Sequence, residues 1–240
     1  VPACRSLDCI SVFAHTVADV RKVFQVAAGF DSRDPWSRRE ETQAQRGERI
    51  VFAVPREEDL QFFGNEAYAE CFRQAVAGLE ALGWKKRVID FRPFLETAKL
   101  LYEGPWVAER TAAIEDLISA RPELLYPVTR KIIEGGFKGT AVEAFKAQYR
   151  LKEYQRITES LWEDVDTLVT PTAGTHYRIS EVEANPVSTN SNLGTYTNYM
   201  NLLDLCAVAV PAGRTPANMP FGITLSAPAF HDLKLLDLAG

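Results

Sequence analysis

Tyr102 and Arg110 fall within one short stretch, Leu100 to Arg110 (LLYEGPWVAER), with Gly104, Pro105 and Trp106 between them. Proline cannot sit inside a helix but suits its first turn, so the pattern predicts a break at Glu103-Gly104 and a new helix from about Pro105. Tyr102 then lies on the lip of the break and Arg110 on the second turn of the new helix. Two donors placed this way can converge on one acceptor, and an arginine fork meets both oxygens of a carboxylate in plane. Spacing alone favours a plainer reading, a helix–helix joint with Trp106 plugging the core and Arg110 as a surface charge.

Other chemistry finds little support in the residues. His15, His176 and His231 are isolated, and no Gly-x-Ser-x-Gly elbow presents a serine to any of them. His176 is the one histidine beside a candidate pocket, the small-residue run Thr172-Ala173-Gly174-Thr175. Open α/β sheets hold ligands in such loops at the carboxyl ends of strands, and a plain turn is an equal reading. Glu181 and Glu183 alternate in a segment expected to be loop or strand, facing solvent. The four cysteines, Cys4, Cys9, Cys71 and Cys206, form no CxxC pair and have no histidine at ligand spacing. Cys71 and Cys206 sit among apolar residues and are expected to be buried, reduced thiols of a cytosolic protein. A zinc site is therefore not expected, and with neither a Gly-x-Gly-x-x-Gly fingerprint nor a Walker loop present a dinucleotide reading has no support. No metal or organic cofactor enters the expected function.

The elements that must position these residues read as α/β throughout. Val12 to Gly29 has helical spacing, and Asp31 to Glu48 is a charged surface loop with Trp36 as its anchor. Arg49 to Pro55 is a buried strand, Asn65 to Leu82 a helix stopped by Gly83, and Lys85 to Phe91 a second strand. Together they make a βαβ unit, which favours parallel pairing through a right-handed crossover. Further helices are expected over Pro93 to Ser119, Glu123 to Glu134 and Thr140 to Glu163. Asp166 to Pro171 is a strand, Pro186 to Gly194 polar and irregular, and Tyr196 to Leu205 a helix under the sheet. Cys206 to Gly213 should be a buried strand and Pro220 to Pro228 the last one, with the tail from His231 capping the body. The expected fold is a mixed, largely parallel β-sheet flanked by helices.

Composition sets outer bounds. With 46% hydrophobic and 25% charged residues in 240, the chain can bury a sizeable core, and one domain or the larger part of one is expected. A net charge of −5 argues against nucleic acid as a partner. No apolar run approaches the roughly 20 residues that cross a bilayer, so no membrane partner is expected. The chain opens with Val1 and its methionines are Met200 and Met219, which reads as a processed or partly given piece.

The segments VPACRSLDC, VFAHTVADV, AAGFDSRDP, LLYEGPWVAER, VTPTAGTHY, NSNLGTYTNYMNLLDLCAVAVPAG and PFGITLSAP resemble the later part of the amidase signature domain of the allophanate hydrolases. The resemblance runs from Val1 nearly to Gly240, so residues 1–240 are expected to be the C-terminal part of one such domain. LLYEGPWVAER and NLLDLCAVAVPAG are its specific pieces. It implies amide hydrolysis by a nucleophilic serine, a bridging serine and a lysine. In the family these lie in and upstream of a Gly/Ser-rich segment that precedes the position of Val1. No GSS or GGS cluster occurs in the chain, so none of these catalytic groups is expected within it, and the chain alone is expected to be inactive. Thr195 is a second departure, since the family more often has an aromatic residue there.

What the resemblance carries over is substrate recognition. Tyr102 and Arg110 match the tyrosine and arginine that hold allophanate, a carboxylated urea and a small planar anion. Thr172, Gly174 and Asn192, on the loops Thr172 to Thr175 and Asn190 to Asn198, are expected to line the same cavity. The implied reaction is hydrolysis of allophanate to ammonia and carbon dioxide in urea degradation, with a biotin-dependent urea carboxylase as functional partner. A homodimer and a cytoplasmic location are also expected. Two alternatives stand beside this, an amidase acting on a different amide and a non-catalytic remnant that binds a partner.

Overall fold

The computed structural model describes residues 3–39 and 49–240. Five strands form one mixed sheet in the order β2-β1-β3-β5-β4. They are β1 (Val51–Pro55), β2 (Lys85–Ile89), β3 (Thr167–Pro171), β4 (Leu205–Arg214) and β5 (Pro220–Pro228). The first βαβ unit forms as expected, with β1 and β2 parallel and joined through α2 (Glu66–Ala81). The Asn65 side chain caps α2 by accepting from the Tyr68 N–H, and Gly83 ends it at φ 86°, a conformation glycine adopts without strain. β1 also pairs β3 in parallel, whereas β3 with β5 and β5 with β4 are antiparallel. The sheet is therefore evenly divided where a largely parallel one was expected, because β4 returns to β5 as a hairpin with no helix between them.

Strand alternation splits the core into two layers. Ala53 and Leu168 face one side, with Phe91, Phe94, Tyr196 and Tyr199 packed over them. Phe52, Val54 and Val169 face the other, against Tyr68 and Phe72 of α2 and Leu235 of α10 (Asp232–Ala239). With both faces covered, β1 reads as a continuous apolar run rather than an alternating one, and β3 is buried throughout, Thr167 and Thr170 included. Two buried carboxylates among the described residues, Asp59 and Asp166, serve this frame: Asp59 pairs with Arg56 and accepts from the Phe91 N–H, and Asp166 pairs with Lys234 and accepts from the Val51 N–H.

Several expectations are corrected. The first helix, α1 (Val17–Ala27), starts later than Val12 because the Thr16 hydroxyl caps it by accepting from the Asp19 N–H at 3.1 Å, leaving Phe13 94% exposed. Part of the expected surface loop, residues 40–48, lies outside the described residues; Trp36, expected to anchor it, is exposed. Pro186 to Leu193 is not irregular but forms α9. Its polar side chains find partners within the helix by donating to the carbonyl one turn back, Thr189 to Asn185 at 2.7 Å and Ser191 to Val187 at 2.9 Å, so they do not need loop backbone to be satisfied. Glu181 and Glu183 lie on α8 (Ile179–Ala184), not on a loop or strand.

Tyr196 to Leu205 does not form the expected helix. Residues 194–204 pass through consecutive turns, among them Thr197 N–H to Gly194 and Leu203 N–H to Tyr199, and stop at Asp204 with φ 56°. Tyr196 and Tyr199 drive this path by inserting fully into the core, where the Tyr196 hydroxyl accepts from the Gln61 N–H at 2.6 Å. Among the described residues β4 is an edge strand paired to β5, and its burial alternates because Cys206, Val208, Val210 and Ala212 pack on the core while the residues between them face outward.

Candidate active-site cleft

The LLYEGPWVAER stretch folds as its spacing predicts. α3 (Arg92–Glu103) stops at Gly104, whose N–H still donates to Leu100 at 2.8 Å, and α4 (Trp106–Ala113) starts after Pro105. Gly104 is needed here for close approach: a Cβ would stand 2.4 Å from the Leu100 carbonyl oxygen and 3.1 Å from the Trp106 ring. Trp106 turns inward and joins the core beside Leu100, so the core-plug reading holds for it.

Arg110 is not the surface charge that spacing alone favoured. It is half-buried, with its guanidinium carbon 4.8 Å from the centroid of the Tyr102 ring. Its Nε–H donates to the Cys4 Sγ at 3.5 Å. Burial works against the charge, but the contacts with Cys4 and Tyr102 outweigh it and raise the Arg110 pKa above its ordinary value. No described carboxylate lies within ion-pairing distance of Arg110, whereas the described surface arginines Arg33, Arg92 and Arg130 each have one. A half-buried cation without an internal counter-ion is a standing receptor for an anion, since pairing recovers part of the cost of desolvation.

Both residues line a cleft of about 1460 Å³. Its floor and walls come from α4, from α6 (Pro127–Glu134), from the 3-10 turn Gly135–Lys138 and from the start of α7 (Ala141–Glu159). The remaining short helix, α5 (Glu115–Ala120), follows α4 directly. Gly136 sets the wall-to-wall distance: a Cβ there would fall 2.1 Å from the Thr111 hydroxyl and 2.7 Å from the Val107 carbonyl oxygen. Lys146 and Arg150 of α7 add positive charge to the cleft. Glu143 also borders it but is engaged in a capping box, where the Thr140 N–H and hydroxyl donate to its carboxylate and hold its pKa below the ordinary value.

The structure brings Tyr102 and Arg110 together and places the other three candidates elsewhere. The Thr172 hydroxyl shares a 2.9 Å hydrogen bond with that of Thr224 across β3 and β5. Gly174 is buried under Gln61, whose carbonyl oxygen would lie 2.1 Å from a Cβ, so its smallness serves packing. Asn192 donates to the Tyr177 hydroxyl at 2.7 Å and borders a separate, shallower cleft of about 380 Å³. Asn190 and Ser191, on the neighbouring turn of α9, line the main cleft instead. His176 is exposed, its ring 5.2 Å from that of Tyr68.

Sequence reasoning missed Cys4. It is buried, donates through its thiol to the Trp106 carbonyl at 3.4 Å, and touches Arg110 from behind. No local pattern signals this, because the partners are 102 and 106 residues away. Among the described residues no cluster of His, Cys, Asp or Glu could hold a metal, and no helix is long and apolar enough to cross a membrane.

Comparison with known proteins agrees with this frame. An amidase family model matches residues 1–236. The chain is similar to urea amidolyase of Saccharomyces cerevisiae, 38% identical over 244 residues, covering all of the chain and 13% of that protein. The urea amidolyase of Lachancea kluyveri is similar over the same length at 36% identity, again covering 13% of that protein. The chain superposes on the crystal structure of Kluyveromyces lactis allophanate hydrolase with a TM-score of 0.94 and 40% identity, covering all of the chain and 40% of that one. It thus spans well under two thirds of each of these proteins.

Proposed function

The chain belongs to the amidase family, and on that premise we propose that its cleft recognises allophanate for hydrolysis to ammonia and carbon dioxide in urea degradation. The observation that carries the reading is Arg110, a half-buried cation with no described carboxylate partner, stacked on Tyr102 at the edge of a large cleft. Allophanate is small, planar and anionic. Its carboxylate suits the guanidinium fork, and in this reading the Tyr102 hydroxyl adds a neutral hydrogen bond that orients the amide. Similarity to a urea amidolyase and an allophanate hydrolase supports this substrate over a neutral amide, for which an unpaired arginine has no use.

In this reading residues 1–240 supply the substrate-recognition part of an amidase domain, and the chain acts with a serine–bridging serine–lysine set that these residues do not contain. The serine attacks the amide carbonyl, the tetrahedral intermediate expels ammonia, and water then cleaves the acyl-enzyme. Backbone amides near the serine stabilise each oxyanion. The chain's own part is to hold the anion so that only one carbonyl faces the nucleophile. A biotin-dependent urea carboxylase supplies allophanate, and the active form is a homodimer.

The test is ammonia release from allophanate by the full-length protein and by Arg110→Ala. Turnover that falls about 100-fold or more in the variant, the loss of a charge-assisted bidentate contact, supports the reading. Turnover unchanged in Arg110→Ala sinks it.

A further inference from the structure

We propose that Cys4 is a positioning residue for Arg110, committing the guanidinium to end-on binding of the substrate carboxylate. This rests on the reading of Arg110 as the group that binds the anion. An arginine can grip a carboxylate side-on, through Nε–H and one terminal nitrogen, or end-on, through both terminal nitrogens. Cys4 Sγ accepts the Nε–H at 3.5 Å, so the side-on pair is used up and the end-on pair is left for the ligand.

The polarity of the thiol fits this role. Its own proton goes to the Trp106 carbonyl at 3.4 Å, which turns a sulfur lone pair toward Arg110. Burial pushes the Cys4 pKa up, against the opposing pull of Arg110, so the sulfur stays a neutral thiol at physiological pH. Neutrality matters. A carboxylate in the same place would satisfy the arginine and compete with the substrate, whereas a thiol fixes the direction of the fork and leaves its charge unspent.

The loop that presents Cys4 is itself tied to the helix that carries Arg110. The Asp8 carboxylate accepts from the Cys4 N–H at 3.1 Å, and Ser6 donates to Glu109 through its N–H at 2.7 Å and its hydroxyl at 2.6 Å. Asn201 fastens the far end by donating to the Leu7 carbonyl at 2.8 Å. Cys4 therefore meets α4 on a braced support, and Trp106, Glu109 and Arg110 within one turn of that helix all contact this loop. Ordering a long arginine side chain before the ligand arrives removes an entropic cost from binding.

The experiment titrates the full-length protein calorimetrically with malonamate and malonamide, which differ only in carboxylate against amide. Wild type, Cys4→Ala, Cys4→Ser and Arg110→Ala are compared, with a thermal melt of each. Cys4→Ala is expected to weaken malonamate about tenfold and leave malonamide within about twofold, the loss of one bond to a charged group. Cys4→Ser, which keeps a neutral acceptor, should restore malonamate to within about threefold of wild type. Malonamate affinity unchanged in Cys4→Ala but lost in Arg110→Ala overturns the positioning role and leaves the anion-binding reading standing. Equal weakening of both ligands in Cys4→Ala, or a Cys4→Ser protein as impaired as Cys4→Ala, makes Cys4 merely structural and also overturns it. Malonamate affinity unchanged in Arg110→Ala removes the premise itself.

Discussion

Arg110 holds its guanidinium carbon 4.8 Å from the centre of the Tyr102 ring, although a helix break separates the two residues. The break makes the contact possible. Had α3 run on through Gly104, residues 102 and 110 would sit two turns apart along one axis, beyond side-chain contact. Pro105 and Gly104 fold that distance away, and Trp106 pins the joint by filling the core beneath it.

The two parts of Tyr102 are separable. Tyr102→Phe keeps the ring under Arg110 and removes the hydroxyl, so malonamate affinity should drop about threefold to tenfold with thermal stability unchanged. Tyr102→Leu also removes the cation–π contact, worth about 0.5–1 kcal/mol at an exposed site, and should weaken binding further. Identical affinities for wild type and Tyr102→Phe would exclude the hydroxyl from ligand contact.

Cleft width depends on Gly136. In Gly136→Ala the new methyl would collide with the Thr111 hydroxyl, the Val107 carbonyl and Ala108, all within 2.8 Å. Urea unfolding should show a loss of about 1–3 kcal/mol, the usual cost of overpacking. Gly139→Ala is the control, since its nearest neighbour would be 3.7 Å away and its φ is −68°. Equal stability of the two variants would show that the wall is free to move.

Alkaline pH should unfold the protein through its buried tyrosine hydroxyls and the thiol of Cys206, which is half-buried rather than fully buried as expected. Burial pushes Tyr196 from 10.0 to about 12, against the hydrogen bond from Gln61, and pushes Cys206 from 9.0 to about 12, with Asp232 adding to the rise. Tyr199, wholly buried, is raised as well. Each group keeps its proton in the folded state at a pH where the unfolded chain has lost it. Stability is therefore full below about pH 9 and declines as the pH rises toward 12. Denaturation curves collected across that range should show the decline, with Cys206→Ala flattening its onset and Tyr196→Phe its upper part. A stability that is level from pH 8 to about 11 would contradict these burial effects.

Much of this frame was legible in the sequence where local and global signals agree. The expected helix Asn65 to Leu82 lies within a residue of the observed ends of α2, and the RIVFAVP run reads as the buried strand it forms. Legibility failed where composition imitates another state. The Ser, Thr and Asn residues of α9 look like loop residues, yet within the helix their side chains are satisfied by bonding back to its carbonyls. Tyr196, Tyr199, Met200 and Leu203 repeat at helical spacing but descend into the core from successive turns. The apolar run of β4 could not reveal that one of its edges has no described neighbour.

The site divides in the same way. A proline and a glycine announce the joint between Tyr102 and Arg110, but spacing alone favoured a plain helix joint there, and it was the resemblance that singled the two residues out. Thr172 and Gly174 came from the loop after a strand and Asn192 from the loop Asn190 to Asn198; Thr172 bonds Thr224, Gly174 packs under Gln61 and Asn192 bonds Tyr177. Cys4 could not be found at all from local pattern, because its meaning comes from a helix more than a hundred residues away.

The most direct measurement of the recognition site is the affinity of the full-length protein for malonamate relative to malonamide, in wild type and in Arg110→Ala. Wild type should prefer the anion by about 10-fold to 100-fold, and Arg110→Ala should erase that preference while keeping its melting temperature. A preference for malonamate that survives Arg110→Ala would show that the anion is read elsewhere and that the Tyr102–Arg110 pair is only a helix joint.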